Sequence, residues 1–170
     1  IAIELYDNLG LNDLQQKRNL YIGSLLHDVG KIGIPDNILK STEILSPEEF
    51  EVIKLHPMTG YNICEGLDGD LKDALDIIKY HHERLDGSGY PEGLEDGNIP
   101  ILAQILAIVD VYDALTSKRS YREKMDKEKA YSIMREEAQA GRLNKEFIET
   151  FISMMNKNPN SNWLQSKYLP

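Results

Sequence analysis

Helix-start signals recur along the chain, whereas no stretch shows the strict alternation of apolar and polar residues that marks a half-buried strand. The clearest signal is Ser-Pro-Glu-Glu at 46–49. Ser46 can cap a helix, Pro47 suits its first turn, and Glu49 completes a capping box. Helical punctuation of this kind restricts the chain to an all-α fold.

The caps and the apolar spacing place the individual helices. Asp126 and Asn144 are candidate caps, and Gly141 suits a helix end. The helix that starts at Asp13 is expected to carry Leu14, Leu25 and Leu26 towards the core. Residues 1–6 are helical in character but have no cap before them, as though the chain were cut inside a helix. We expect helices over 13–27, 46–56, 71–83, 100–114, 126–141 and 145–156, with a shaped loop at 86–91.

Composition excludes several classes of protein. The longest apolar run, 101–109, is broken by Gln104 and stopped by Asp110, far short of the roughly 20 residues of a membrane span. No secretory signal begins the chain, so we expect a cytoplasmic protein. The single Cys64 cannot form an internal disulfide and is expected to fill the core. The net charge of −9 argues against a general DNA or RNA binder; phosphate binding then needs local positive charge, most strongly from metal ions.

All four histidines lie between positions 27 and 82, each in a context that a metal site would explain. His27 and Asp28 are adjacent, and imidazole and carboxylate are ligands that suit iron, manganese or zinc. His81 and His82 point about 100° apart if helical, so they can serve two ions side by side, or one ion and a substrate. The alternatives are a helix-terminal His beside a capping Asp, and histidines that simply pack.

Two further candidate ligands are ambiguous on their own. His56 precedes Pro57, and Asp110 interrupts the most apolar helix, where a buried carboxylate needs a compensating partner such as a metal. Histidines and aspartates together offer six candidate ligands, enough for a two-metal centre. Such a centre can stabilise both the attacking and the leaving oxygen of a phosphoryl displacement. The pattern therefore favours phosphodiester hydrolysis.

Three cations are candidates for binding phosphate. Lys31 follows Gly30, four residues beyond His27, and could stabilise charge on a phosphoryl oxygen. Arg119 and Arg122 are spaced to grip a phosphate or a guanine edge with forked donors. Solvated surface side chains are the alternative for all three.

Taken together, the motifs resemble those of a known family. Leu-His-Asp-Val-Gly-Lys at 26–31 resembles the signature of HD phosphohydrolases. His-His-Glu-Arg at 81–84, running into Asp-Gly-Ser-Gly-Tyr-Pro at 86–91, resembles the HD-GYP subclass. The resemblance extends from about residue 1 to 151, and a compound pattern of this length is highly specific. Further matches, in order and at similar spacing, are Ile-Pro-Asp at 34–36, His-Pro at 56–57 and Asp-Val-Tyr-Asp-Ala-Leu-Thr at 110–116.

The resemblance implies an HD-domain helical bundle over 1–157 with a glycine-rich loop, followed by a tail over 158–170. It also implies two or three iron or manganese ions and the hydrolysis of cyclic di-GMP to pGpG or GMP. Lys31 would contact the scissile phosphate, and Arg119 and Arg122 would bind substrate. The loop of Gly89, Tyr90 and Pro91 would handle substrate and dock diguanylate cyclase domains. The implied metal ligands are His27, Asp28, His56, His81, His82 and Asp110, with Asp28 also catalytic.

The chain departs from the family pattern in two places. Members usually carry another His, often with a Glu, on a helix that would precede Ile1, and Gln104 stands where an Arg is frequent. Members also commonly carry a receiver or sensor domain upstream. Two other functions stay open: a hydrolase of cyclic GMP-AMP or another phosphoester, and a non-catalytic dinucleotide sensor or protein-interaction module.

Overall fold

The computed structural model describes residues 1–66, 72–117 and 124–157, and within these ranges the chain is helical. One isolated antiparallel bridge, between Asp86 and Glu95, is the extent of the extended pairing there. The expected all-α class is confirmed. The helices are α1 (Ala2–Asn8), α2 (Leu14–Leu26), a 3-10 turn (Val29–Gly33), α3 (Asp36–Leu39), α4 (Pro47–Ile53), α5 (His56–Glu65), α6 (Lys72–Tyr80), α7 (Ile101–Thr116), α8 (Lys127–Gln139) and α9 (Lys145–Lys157).

Side-chain caps begin several helices where the sequence predicts them. The Ser46 hydroxyl accepts the Glu49 N–H at 3.2 Å, and the Glu49 carboxylate accepts the Ser46 N–H at 2.8 Å, which completes the capping box of α4. Asp126 caps α8 and Asn144 caps α9. Gly141 takes a φ of +76°, in the left-handed region that favours glycine, just after α8 ends.

The core is built around α7, which packs against α1, α2, α6, α8 and α9. A helix with neighbours on so many sides reads as apolar all round, which explains the long apolar run in the sequence. No helix in the described ranges combines the length and the apolar character of a bilayer-spanning segment. Fully buried core side chains include Leu5, Tyr6, Ile77, Ile105, Ile108, Met134, Ile148 and Phe151.

The orientation of α2 differs from the expectation. Leu14 is 82% exposed and Leu25 66% exposed, while Leu26 is half-buried. The expectation that all three face the core was therefore wrong. Helix α2 instead turns Gly23 towards α6, where a Cβ at Gly23 would lie 2.8 Å from the Ile77 side chain. The absence of a side chain at this position allows the two helices to approach closely, and that contact selects the buried face.

The helix that starts at Ser46 was expected to reach His56, with a break or restart at Pro57; in the structure α4 already ends at Ile53, and a new helix, α5, begins at His56. Pro57 lies in the first turn of α5, where a missing N–H leaves no helical hydrogen bond unmade. Gly30 of the 3-10 turn packs against this start: a Cβ at Gly30 would overlap the His56 carbonyl oxygen and the Gly60 amide nitrogen. The contact brings the residues around Gly30 next to His56.

Candidate metal centre

The six predicted ligands come together from separate parts of the chain. His27 ends α2, His56 begins α5, and His81 and His82 directly follow α6. Helix ends are therefore what present the imidazoles to one another. Neighbouring rings in this group have centroid separations of 4.1 to 5.4 Å. The two carboxylates, Asp28 at the 3-10 turn and Asp110 in α7, lie against this group of rings.

The backbone fixes the orientation of three of the rings. Nδ1 of His27, of His56 and of His81 each lies 2.8 Å from the carbonyl oxygen of the residue three positions earlier. A carbonyl oxygen can only accept, so Nδ1 carries the proton and Nε2 presents its lone pair. A backbone hydrogen bond of this kind is how proteins set the tautomer of a metal-ligating histidine.

The lone pairs meet inside the cluster. Nε2 of His56 and Nε2 of His81 are 3.3 Å apart. With both Nδ1 atoms protonated, two acceptors face each other at that distance, an arrangement that a cation between them relieves. One ligand atom from each of His56, His81 and His82 lies within 4.8 Å of the others. The residues present therefore fit a divalent metal ion.

Three of the imidazoles, those of His56, His81 and His82, have lowered pKa values and are neutral at physiological pH. Burial, followed by the neighbouring His27 and His56, lowers the pKa of His81 to about 3. Burial and then His81 hold the pKa of His82 far below its ordinary value, and burial likewise lowers the pKa of His56. Neutral imidazole is the form that binds a metal ion, so the electrostatics favour ligation.

Asp28 lies between two imidazoles and a lysine. Its Oδ1 is 3.4 Å from His56 Nε2, and its Oδ2 is 3.5 Å from His27 Nε2 and 2.6 Å from Lys31 Nζ. Burial raises the pKa of this carboxyl, but the hydrogen bond from Lys31 and the neighbouring His27 outweigh it, and the pKa lies below its ordinary value. A carboxylate whose two oxygens face different imidazoles is placed to act as a ligand beside both of them.

Asp110 lies at the other side of the cluster, with its Oδ2 3.9 Å from His82 Nδ1. The sequence indicated that a carboxylate in this apolar helix needs a compensating partner. Arg84 is one such partner: burial lowers its pKa, and the nearby Asp110 charge opposes that change. The guanidinium was not anticipated from the sequence.

Glu83 is the functional residue that sequence reasoning missed. It is 2% exposed, and its carboxylate accepts the N–H groups of Glu92, Gly93 and Leu94 at 2.7, 3.1 and 2.9 Å. Because Glu83 directly follows His82, these bonds fix the loop relative to the cluster. The only signal in the sequence was its place between a histidine pair and a glycine-rich loop.

The Gly-Tyr-Pro loop forms one wall of the site. The Tyr90 ring stacks on His82 with centroids 4.7 Å apart and an interplanar angle of 26°. Burial raises the pKa of Tyr90, so its hydroxyl stays protonated. Gly89 packs so closely on the backbone of Glu83 that a Cβ would overlap it, and the peptide bond between Tyr90 and Pro91 is cis.

The remaining sequence predictions concern residues other than the candidate metal ligands. Arg119, Arg122 and the tail over 158–170 lie outside the described residues. Gln104 joins the start of α7 to the start of α9, since its amide donates to the Ile99 carbonyl at 2.9 Å and its oxygen accepts from Asn144 at 3.3 Å. Cys64 is 3% exposed, which confirms it as a core residue.

Comparison with known proteins gives consistent matches. The HD domain family model matches residues 1–146. A cyclic di-GMP phosphodiesterase of Thermotoga maritima is 43% identical over 131 residues, covering 76% of this chain and 35% of that protein. The 3'3'-cGAMP-specific phosphodiesterase 1 of Vibrio cholerae is 36% identical over 148 residues, covering 87% of this chain and 34% of that protein.

A solved structure matches as well. Bd1817, described as a HDG"Y"P protein from Bdellovibrio bacteriovorus, superimposes with a TM-score of 0.74 at 25% identity, covering 91% of this chain and 49% of that chain. The chain spans about a third of the length of the curated relatives named above, at 35% and 34%.

Proposed function

The chain belongs to the HD domain family, in its HD-GYP subclass, and from this membership we propose that it is a metal-dependent phosphodiesterase that hydrolyses a cyclic dinucleotide, with cyclic di-GMP as the first candidate. One observation carries the proposal. The Nε2 lone pairs of His56 and His81 face each other at 3.3 Å, beside a carboxylate that contacts two imidazoles and a lysine.

Two divalent ions, iron or manganese, are the proposed cofactors. Ions held there would supply Lewis-acid activation of the phosphate and of the attacking water. Asp28, which contacts both His27 and His56, would be shared between the ions, and the backbone hydrogen bonds at Nδ1 keep the other ring nitrogens of His27, His56 and His81 free of protons. The proposed ligands are His27, Asp28, His56, His81, His82 and Asp110.

Lys31 is the proposed contact to the scissile phosphate. An ammonium group has three donors, and the Asp28 carboxylate takes one of them at 2.6 Å. The Lys31 side chain is 36% exposed, so its other donors can reach a phosphoryl oxygen and stabilise the charge that develops there. Tyr90, stacked on His82, would limit access to the site at that imidazole.

The names of the relatives support a cyclic dinucleotide as the substrate class. One relative is named for cyclic di-GMP and another for 3'3'-cGAMP, so the hybrid dinucleotide is the second candidate substrate. Substrate binding by Arg119 and Arg122 stays a prediction. So do the docking of diguanylate cyclase domains at the Gly-Tyr-Pro loop and a receiver or sensor domain upstream.

Digestion of a panel of cyclic dinucleotides, with chromatography of the products, tests the proposal. We expect anaerobically purified, metal-loaded protein to convert cyclic di-GMP to pGpG or GMP. Cleavage of simple phosphoesters alone would contradict the substrate. Tight binding without turnover would favour the sensor over the enzyme.

Changing Asp28 to Ala tests the metal centre separately. The variant loses the carboxylate that contacts both His27 and His56, so we expect at least one metal position to empty. Elemental analysis of the purified protein measures this. Asp36→Ala is the matched control, because Asp36 is 76% exposed in a surface pair with Lys40. Equal metal content in both variants would contradict the assignment of Asp28.

A further inference from the structure

Beyond the metal-ligand cluster, Lys54 lies between two aromatic rings. Its Nζ is 5.2 Å from the centroid of the Phe50 ring and 5.9 Å from the centroid of the Tyr90 ring. Tyr90 in turn stacks on His82. A continuous series of contacts therefore leads outward from the candidate metal centre to the end of α4. The proposed reaction assigns no role to Phe50 or Lys54 there.

The two side chains at this end of α4 are open to solvent. Phe50 is 45% exposed and the Lys54 side chain 32% exposed, and α4 contributes no buried residue to the core. A single exposed aromatic ring is ordinary. An exposed ring beside an ammonium group, at the edge of a phosphodiesterase centre, has the two parts that bind a nucleotide: a face for a base and a charge for a phosphate.

Within the described residues, Lys54 is a candidate cation for a second phosphate. The chain carries a net charge of −9, so a second phosphate needs a local cation. Of the cations that the structure describes around the centre, Lys31 pairs with Asp28, and Arg84 is half-buried and donates to the Glu83 carbonyl at 2.8 Å. Among the described residues, Lys54 forms an ion pair at 2.6 Å with the 68% exposed Glu51, and a surface pair of this kind is worth little and is readily exchanged for a phosphate.

We propose that Phe50 and Lys54, together with the edge of Tyr90, form a second subsite for the nucleotide that is not being cleaved. The Phe50 ring stacks on its base, and the Lys54 ammonium binds its phosphodiester. The inference rests on the proposed function, since it assigns the half of a cyclic dinucleotide that lies away from the metal centre. Binding of the second nucleotide at this subsite favours cyclic dinucleotides over simple phosphodiesters as substrates.

The direct test is binding of a non-hydrolysable bisphosphorothioate analogue of cyclic di-GMP, measured as Kd by calorimetry on the metal-loaded protein. We expect Phe50→Leu and Lys54→Gln each to weaken binding about tenfold. Glu51→Gln removes the carboxylate that competes for Lys54, so it should tighten binding about twofold. Opposite signs for Lys54→Gln and Glu51→Gln would not arise from a merely structural role.

Turnover supplies a second readout. The ratio of kcat/KM for cyclic di-GMP to kcat/KM for bis(p-nitrophenyl) phosphate should fall about tenfold in Phe50→Leu and Lys54→Gln, mainly through KM. Lys17→Gln and Tyr21→Leu are matched controls on α2: Lys17 forms a surface pair with Asp7, and Tyr21 is 54% exposed. Both controls should keep the wild-type ratio.

The outcomes separate this inference from the proposed function. Wild-type protein that binds the analogue without cleaving cyclic di-GMP would end the proposed function, and the variant Kd values would still decide on the subsite. Kd values within twofold of wild type in both Phe50→Leu and Lys54→Gln would overturn the subsite. So would wild-type protein that fails to bind the analogue at all.

Discussion

At the scale of single residues, the candidate centre depends on neighbouring groups that fix the tautomer of the imidazoles and the charge of Asp28. The three Nδ1 contacts to carbonyl oxygens at 2.8 Å decide which ring nitrogen is available, and Lys31 decides how readily Asp28 stays ionised. Neither effect needs the side chains to move when an ion or a substrate arrives. Preorganisation of this kind lets charged groups act without a reorganisation cost at the moment of reaction.

Replacing Lys31 with Met tests its role in phosphate binding. The variant keeps most of the side chain, up to Cε, and loses the ammonium group, so we expect kcat on cyclic di-GMP to fall by about 10²- to 10³-fold. Metal content should stay near that of wild type, because the six ligand side chains remain. Lys17→Met, in a surface pair on α2, is the control and should retain full activity. A kcat within threefold of wild type in Lys31→Met would rule out this role.

Replacing Glu83 with Gln tests the anchor of the loop. A side-chain amide fits this position poorly, because its nitrogen donates and all three loop partners are N–H donors. The Glu83→Gln change should therefore cost about 1–3 kcal/mol of unfolding free energy. Hydrogen exchange should show faster exchange of the amides of 92–94 and unchanged exchange in α7. Glu43→Gln, at an exposed position, is the control. Unaltered protection at 92–94 would show that Glu83 does not hold the loop.

At the scale of elements, the ligands are placed by how helices end and where they touch. The 3-10 turn (Val29–Gly33) packs on the start of α5, and this contact holds Asp28 within 3.4 Å of His56. The break between α4 and α5 is part of the same arrangement, because it places His56 in the first turn of α5. His56 is only 1% exposed there, with its ring inside the protein.

Changing Gly30 to Ala tests that contact. The added Cβ would overlap the backbone of His56 and Gly60, so the turn must shift; we expect a loss of about 1–3 kcal/mol in unfolding free energy and weaker metal binding. Chemical denaturation and metal titration measure the two effects. Gly66→Ala is the matched control, because a Cβ at Gly66 meets no atom of the described residues within 4 Å and its φ is −80°. Wild-type metal affinity in Gly30→Ala would show that the spacing of turn and helix is not critical.

At the scale of the whole molecule, the candidate metal centre draws its ligands from four separate regions of the chain. An ion bound by α5, by the turn and by the residues after α6 stabilises the native state, because the unfolded chain cannot gather these ligands.

Metal removal tests this linkage. We expect chelation to lower Tm reversibly, with a stabilisation of about 2.7 kcal/mol when free metal is at 100 times its Kd. Thermal unfolding with and without chelator, and after addition of Mn²⁺, measures the effect. The shift should shrink in Asp28→Ala. A Tm that changes neither with chelator nor with added Mn²⁺ would contradict a metal centre built from separate parts of the fold.

Local signals in the sequence determined the helical class and many helix boundaries. The capping box at Ser46 and the caps at Asp126 and Asn144 act through hydrogen bonds over two or three residues, which any reader of the sequence can locate. The motif pattern likewise identified the family and named the six candidate ligands that the fold brings together.

Only the tertiary structure decided which faces and atoms meet. Leu14 and Leu25 were expected in the core, but close packing at Gly23 selects another face of α2. The anchoring by Glu83 and the position of Lys54 beside Tyr90 depend on contacts between groups far apart along the helices and loops. Such contacts follow from steric fit between distant segments, and a linear sequence specifies them only through the whole folded chain.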